Sequence, residues 1–294
     1  MRKEYCIPTE ADGRTVKSYV LSTLGFSVRN LKAMKYRGSI VLDGEPVFVT
    51  HTVRAGQTLV LEYPEETSET VIPEDIPLDV LYEDDDYLCV NKPHGMPSHP
   101  SFNHPTGTLA NAVMYYYRDR PFTFRILTRL DTDTTGATLV AKNALSASTF
   151  LKCESQKTYL ALCVAAPEPR SGTINAPIAR NPASIISRMV CESGKPSVTR
   201  YETLETWEAH DGKPCALVQA IPLTGRTHQI RVHLAHIGCP LYGDYLYGTE
   251  IPGERTRLHC REVSFRHIST GERICIQAPL PEDFLSLFVR GNVL

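Results

Sequence analysis

No stretch of this 294-residue chain approaches the ~18 consecutive apolar residues that a membrane helix requires. The N-terminus, MRKEYCIPTEADGR, has basic residues but no apolar run behind them, so no secretory signal is expected. Nine cysteines are scattered from Cys6 to Cys275, an odd number, and no two form a C-x-x-C pair. That argues against a disulfide framework and a zinc ribbon, and it suits a reducing, cytoplasmic setting. No internal repeat is present. What remains, with 42% hydrophobic and 22% charged residues, is an ordinary globular composition, long enough for two domains.

The net charge of −2 hides a strong division along the chain. Residues 1–62 carry +3, residues 63–90 carry −10 with no basic residue, and residues 91–294 carry +5. The acidity therefore sits in one short segment between two mildly basic blocks, which permits an RNA partner without demonstrating one.

That acidic segment, PEETSETVIPEDIPL (64–78), has three prolines and little apolar periodicity, so it reads as a solvated linker. Before it, residues 15–25 and 28–37 have helical spacing, with Val16, Tyr19, Val20 and Leu24 on one stripe and Leu31 and Met34 on another. A hairpin signal with Asp43-Gly44 at its turn and the strand TLVLEY follow. Two short helices and a small hairpin resemble the αL RNA-binding module of a ribosomal small-subunit protein and many RNA-modifying enzymes. In that reading residues 1–63 form the module. Arg29, Lys32, Lys35 and Arg37 on its second helix would then face RNA. The plain alternative is a solvated helix face.

After the linker the chain is strand-rich. Runs at 80–93, 136–143, 157–165, 188–191, 197–207 and 214–222 read as strands, and 108–119, 144–153 and 228–238 as helices. Strands in runs with single helices between them predict an α+β fold. The expected catalytic domain spans 79–294, with a mixed, largely antiparallel sheet, flanking helices and a central cleft, beside the small α/β N-terminal domain.

Four segments carry chemistry. TRLDTDTTGATLVAKN (128–143) places Asp131, flanked by Arg129, in a Thr/Gly-rich turn that opens into a buried-looking strand. Standing alone it could be a capped turn; no Gly-Lys-Ser/Thr follows, so it is not a phosphate loop. NKPHGMPSHP (91–100) is a stiff loop. KTYLALC (157–163) puts Lys157 and Tyr159 on one strand face. LTGRTHQIRVHLAHIGCPLYGDYLYG (223–248) is dense in Arg, His and Tyr, with Arg226 before a helix that Ile230, Leu234 and Ile237 would dock.

In this order and at these intervals, the four segments resemble the RluA-type pseudouridine synthases over about residues 79–285. The hallmark is Arg129-Leu130-Asp131 followed by Thr134-Thr135-Gly136, with Thr128 standing where that family often has His. The resemblance implies isomerisation of specific uridines, with Asp131 as the catalytic carboxylate. It implies that Arg129 fills the space left by the flipped nucleotide, that Tyr159 packs on the target base near its C5 proton, and that Arg226 pairs with the carboxylate. These residue types fit the reaction. Flipping a base costs roughly a few kcal/mol, and a guanidinium in the gap offsets part of that. An opposite charge favours an ionised carboxylate, and an aromatic face holds the detached base. Whether Asp131 attacks C6, attacks C1′ or removes the C2′ proton is left open.

No step here needs a metal or an organic cofactor. The histidines invite a metal hypothesis, but His228 lies off the line of His233 and His236, and no cysteine pair or Glu-containing motif joins them. His228 is expected at RNA phosphate or orienting its loop, and His233 in packing. A non-catalytic RNA-binding protein would not be expected to retain Asp131, Tyr159 and Arg226 together. By family analogy the N-terminal module favours large-subunit ribosomal RNA over transfer RNA as partner, and the enzyme is expected to act as a monomer.

Overall fold

The computed structural model describes residues 2–64, 70–102, 104–208, 214–248, 250–267 and 270–286. The N-terminal part is a four-stranded antiparallel sheet of β1 (Arg2–Cys6), β2 (Ser39–Leu42), β3 (Glu45–Pro46) and β4 (Thr58–Glu62), in the order β1-β4-β2-β3. Asp43 and Gly44 both take positive φ, 49° and 88°, as a two-residue hairpin turn demands. Helix Val28–Arg37 starts at Ser27, whose side chain accepts from the Asn30 amide. Its buried face presents Leu31 and Met34 to Val16, Tyr19 and Val20. The strand β1 was not legible: its exposure alternates without any apolar pattern.

The larger sheet contains β5 (Val80–Glu83), β6 (Tyr87–Lys92), β7 (Thr135–Ala141), β8 (Ser155–Cys163), β9 (Ser171–Asn175), β12 (Val198–Glu208), β13 (Pro214–Pro222), β14 (Leu258–Arg266) and β15 (Arg273–Gln277). Between β9 and β12 lies a separate hairpin of β10 (Ile178–Arg180) and β11 (Arg188–Val190). The sheet order is β5-β6-β7-β14-β8-β13-β12-β9, with β15 also on β14. Every pairing is antiparallel except β7 with β14, so the α+β, largely antiparallel expectation holds. Strand β7 is buried along its whole length, and helices cover the sheet on both sides of it. Period-two alternation in β6 sends Leu88 and Val90 towards helix Leu109–Tyr116, and Tyr87 and Cys89 towards Phe150 and Leu139.

One expectation needs correction. The acidic segment is not a free tether from residue 70 onwards; residues 65–69 lie outside the described residues. Val71 is buried against Leu88 and Val113, Asn111 donates to the Ile72 carbonyl at 2.7 Å, and Glu74 accepts from the Gly107 amide at 2.6 Å. Its backbone polar groups had partners waiting on the neighbouring helix, which composition does not reveal. The N-terminal sheet is also fastened to the rest. Lys3 reaches both oxygens of the buried Asp86 at 2.9 Å, Asn30 donates to Ser148 Oγ at 2.7 Å, and Leu145 completes the N-terminal core.

Candidate active site

A cavity of about 270 Å³ opens where the two halves of the large sheet meet. Asp131, Arg129, Tyr159, Arg226 and His228 all line it, although they come from three separate sequence segments. Arg29, Lys32, Lys35 and Arg37 do not; they stand on the N-terminal helix, with the Lys35 ammonium 5.1 Å from the Tyr36 ring centre.

The turn bearing Asp131 is held from several directions. The Thr134 amide donates to the Asp131 carbonyl at 3.1 Å, and Ser98 Oγ donates to the Leu130 carbonyl at 2.6 Å. Thr128, at the position where the resembled family often has His, receives the Leu139 amide on its hydroxyl at 2.7 Å. Thr135 Oγ1 meets His259 Nδ1 at 2.9 Å, joining the turn to β14. At Gly136, with φ +109°, a Cβ would lie 2.3 Å from the Cys260 carbonyl oxygen. Only glycine lets β7 come that close to β14 as it leaves the Asp131 turn.

Asp131 is half-buried, and its carboxylate makes no hydrogen bond or ion pair to the described residues. It contributes the only carboxylate among the residues lining the cavity. Its field reaches Tyr159, His228, Arg231 and Lys92. Burial, reinforced by Cys260 and Asp131, pushes the Tyr159 phenol well above its ordinary value. The ring is therefore a protonated phenol at rest. Burial likewise lowers the Lys157 ammonium beside it.

The expected pairing of Arg226 with Asp131 is not formed. Arg226 is exposed, and its Nε donates to the Pro196 carbonyl at 3.2 Å. The buried guanidinium lining the cavity is instead Arg231, five residues further on inside helix Gln229–His236, which is bidentate to Asp244 at 2.8 and 2.7 Å. Burial opposes its charge, but the Asp244 bonds and the fields of Asp244, Asp131 and Asp133 outweigh it and raise its pKa. Nothing in the periodicity of HQIRVHLAHIG marked Arg231, since it falls between two apolar residues. Gln229 was also missed. Its amide oxygen accepts from Thr224 and from the Arg226 amide, and its nitrogen donates to Val198 and Thr199, locking the 224–229 loop to β12.

The histidines are dispersed. His233 is fully buried, with its ring nitrogens 2.9 Å from Thr199 Oγ1 and from the Ala176 carbonyl, which is the packing role expected. His228 takes a left-handed backbone, φ 58°, before helix Gln229–His236, and its Nδ1 meets Tyr247 Oη at 2.7 Å. Ile230 and Leu234 are buried in the main core, with Ile237 packed against it, as the apolar stripe predicted.

Residues 86–236 match the family model described as RNA pseudouridylate synthase. The chain belongs to the RNA pseudouridine synthase family. It is 38% identical to the RNA pseudouridine synthase YjbO of Bacillus subtilis, covering 95% of this chain and 99% of that one. It is 36% identical to the ribosomal large subunit pseudouridine synthase D of Xanthomonas campestris pv. campestris, covering 97% and 91%. Among solved structures it resembles human RNA Pseudouridylate Synthase Domain Containing 1, with TM-score 0.59 and 30% identity over 71% of this chain and 85% of that one. The match to the synthase model spans Asp131, Tyr159, Arg226, His228 and Arg231, so every residue lining the cavity except Leu258 lies within the matched part of the chain.

Proposed function

We propose that this pseudouridine synthase isomerises specific uridines in structured RNA, large-subunit ribosomal RNA foremost, with Asp131 as the catalytic carboxylate. One observation carries the reading: a carboxylate with no protein partner among the described residues sits in a cavity otherwise lined by cationic, polar and apolar groups. Such a group is free to act as nucleophile or base on a nucleotide flipped into the cavity. Arg129, exposed and likewise without a partner among the described residues, is available to enter the space that nucleotide vacates. Arg231 supplies positive potential towards Asp131 from behind, and Tyr159 offers its ring to the detached base. Because the phenol keeps its proton, it takes the C5 proton only as its own passes on to N1 of the base, the atom that gains a hydrogen when the base rejoins through C5. Arg226 and the cations of helix Val28–Arg37 are exposed, which supports a role for them in phosphate contacts. The ribosomal address draws on the relative of Xanthomonas, whose name assigns it to the large subunit.

Release of tritium from RNA labelled at uridine C5 tests the chemistry directly. Mapping pseudouridines in total RNA from a deletion strain against wild type tests the address. No release from any cellular RNA fraction would sink the assignment, and missing pseudouridines confined to transfer RNA would overturn the ribosomal reading.

A further inference from the structure

His228 sits in the wall of the catalytic cavity in a backbone conformation that non-glycine residues seldom adopt. The helix it precedes holds it there: the Val232 amide donates to the His228 carbonyl at 2.9 Å, and the Gln229 side chain pins the residues before it. An uncommon backbone so firmly determined suggests that the direction of the ring matters.

The hydrogen bonds around the ring fix more than direction. The Arg188 amide of β11 donates to Tyr247 Oη at 2.8 Å, and a backbone N–H can only donate. The same phenolic oxygen lies 2.7 Å from His228 Nδ1. Tyr247 has one hydrogen, and no other acceptor among the described residues receives it. If Nδ1 were protonated, that hydrogen would be stranded. If Nδ1 is bare, all three groups of this chain are satisfied: Arg188 N–H to Tyr247 Oη, and Tyr247 O–H to His228 Nδ1. Tyr247 is itself anchored, because Asp244 accepts from its amide at 3.2 Å and the Arg231 guanidinium lies 5.2 Å from its ring centre.

We propose that Tyr247 is a positioning residue that holds His228 as the neutral Nε2–H tautomer, so that the ring offers a hydrogen-bond donor to the nucleotide in the Asp131 cavity. Nε2 has no partner among the described residues, which leaves its hydrogen for the substrate. Burial, with help from Arg231 and Arg188, lowers the pKa of this imidazole against the opposing pull of Asp131 and Asp244, so the neutral form persists. The acceptor it meets, a uracil carbonyl or a phosphate oxygen of the flipped nucleotide, rests on the function proposed above. The tautomer does not.

The test is nitrogen NMR of histidine-labelled protein without RNA, paired with kinetics. Wild type should show His228 with bare Nδ1 and protonated Nε2, and Tyr247→Phe should give a mixture of tautomers in a folded protein. Tyr247→Phe should lower kcat about tenfold with KM nearly unchanged. His228→Gln, which keeps an N–H near the Nε2 position, should retain at least tenfold more activity than His228→Leu. A protonated Nδ1 in wild type, or a tautomer unchanged in Tyr247→Phe, overturns the proposal. Equal loss in His228→Gln and His228→Leu overturns the donor role. Absence of any isomerase activity would instead strike the proposed function, while the spectra still decide the tautomer.

Discussion

Lys92 Nζ donates to the carbonyl oxygen of Thr132, the residue after Asp131, at 3.1 Å. The same ammonium, wholly buried, also donates to Pro93 and Met96, so one side chain ties the NKPHGMP loop to the Asp131 turn. Burial is the main force lowering its pKa, to about 7, against the pull of Asp133 and Asp131. Lys92→Met would strand the Pro93 and Met96 carbonyls at about 1–3 kcal/mol each, since the Thr132 carbonyl keeps the Gly95 amide, and the loss is offset partly by no longer burying an ammonium. A net loss of roughly 2 kcal/mol in urea unfolding is expected, with activity falling further than stability explains. Full activity in a stable Lys92→Met protein would refute the link.

Asp131→Asn keeps the size of the side chain and removes its charge. Turnover should vanish while RNA affinity and melting behaviour stay near wild type. Tritium release and filter binding on one preparation decide it, and substantial turnover would remove Asp131 from the centre of the reaction.

Tyr159→Phe separates ring from hydroxyl. A positioned proton-transfer group is worth ~10²–10⁴-fold in rate, so kcat should fall by that order with KM little changed. A Phe variant with near-normal kcat would confine Tyr159 to packing on the base.

His259 makes stability sensitive to acid. Burial, chiefly, lowers its pKa from 6.5 to about 4, so the folded protein holds it neutral. Between those values the unfolded chain binds more protons. Stability is therefore complete above pH 6.5 and drains away as pH falls towards 4. About 2 kcal/mol should be lost between pH 7 and 5 from this group. Urea titrations of His259→Gln should show a correspondingly flatter pH dependence; an identical slope would exclude His259 as the source.

For the N-terminal helix the informative variant replaces Arg29, Lys32, Lys35 and Arg37 by Ala. Deleting residues 1–62 would also strip Lys3 from the buried Asp86 and uncover Leu145, confusing folding with binding. For every phosphate the variant no longer neutralises, the salt dependence of RNA binding should fall by about 0.9 for duplex. An unchanged slope would show that this helix meets no phosphate in the complex.

The sequence displayed the helices, most strands of the large sheet and the cavity residues Asp131, Arg129, Tyr159, Arg226 and His228, because each sits in a long motif or a strong period. Strands β14 and β15 were not legible as strands, and β1 and β9 escaped because an exposed edge carries no apolar alternation. Arg231 and Lys92 escaped for a different reason. A buried charge is recognisable only by its partner, and those partners, Asp244 and three backbone carbonyls, become neighbours only in three dimensions. The packed stretch at 70–78 misled because its hydrogen bonds use backbone groups that every sequence possesses.

The single parallel pairing, β7 against β14, sets an order of events for a growing chain. Asp131 leaves the ribosome more than a hundred residues before His259 and Cys260, the residues that fasten its turn. Until the β14 segment emerges, Thr135 lacks its imidazole partner and Gly136, though paired with Lys92 of β6, lacks the Cys260 backbone it lies against. The β6–β7 pair can form once residues 93–134 and their helix Leu109–Tyr116 have emerged, whereas closing the far longer loop to β14 comes later and is slower. A nascent enzyme thus carries Asp131 on an unfinished turn. That turn is fastened only when almost all of the large sheet is in place.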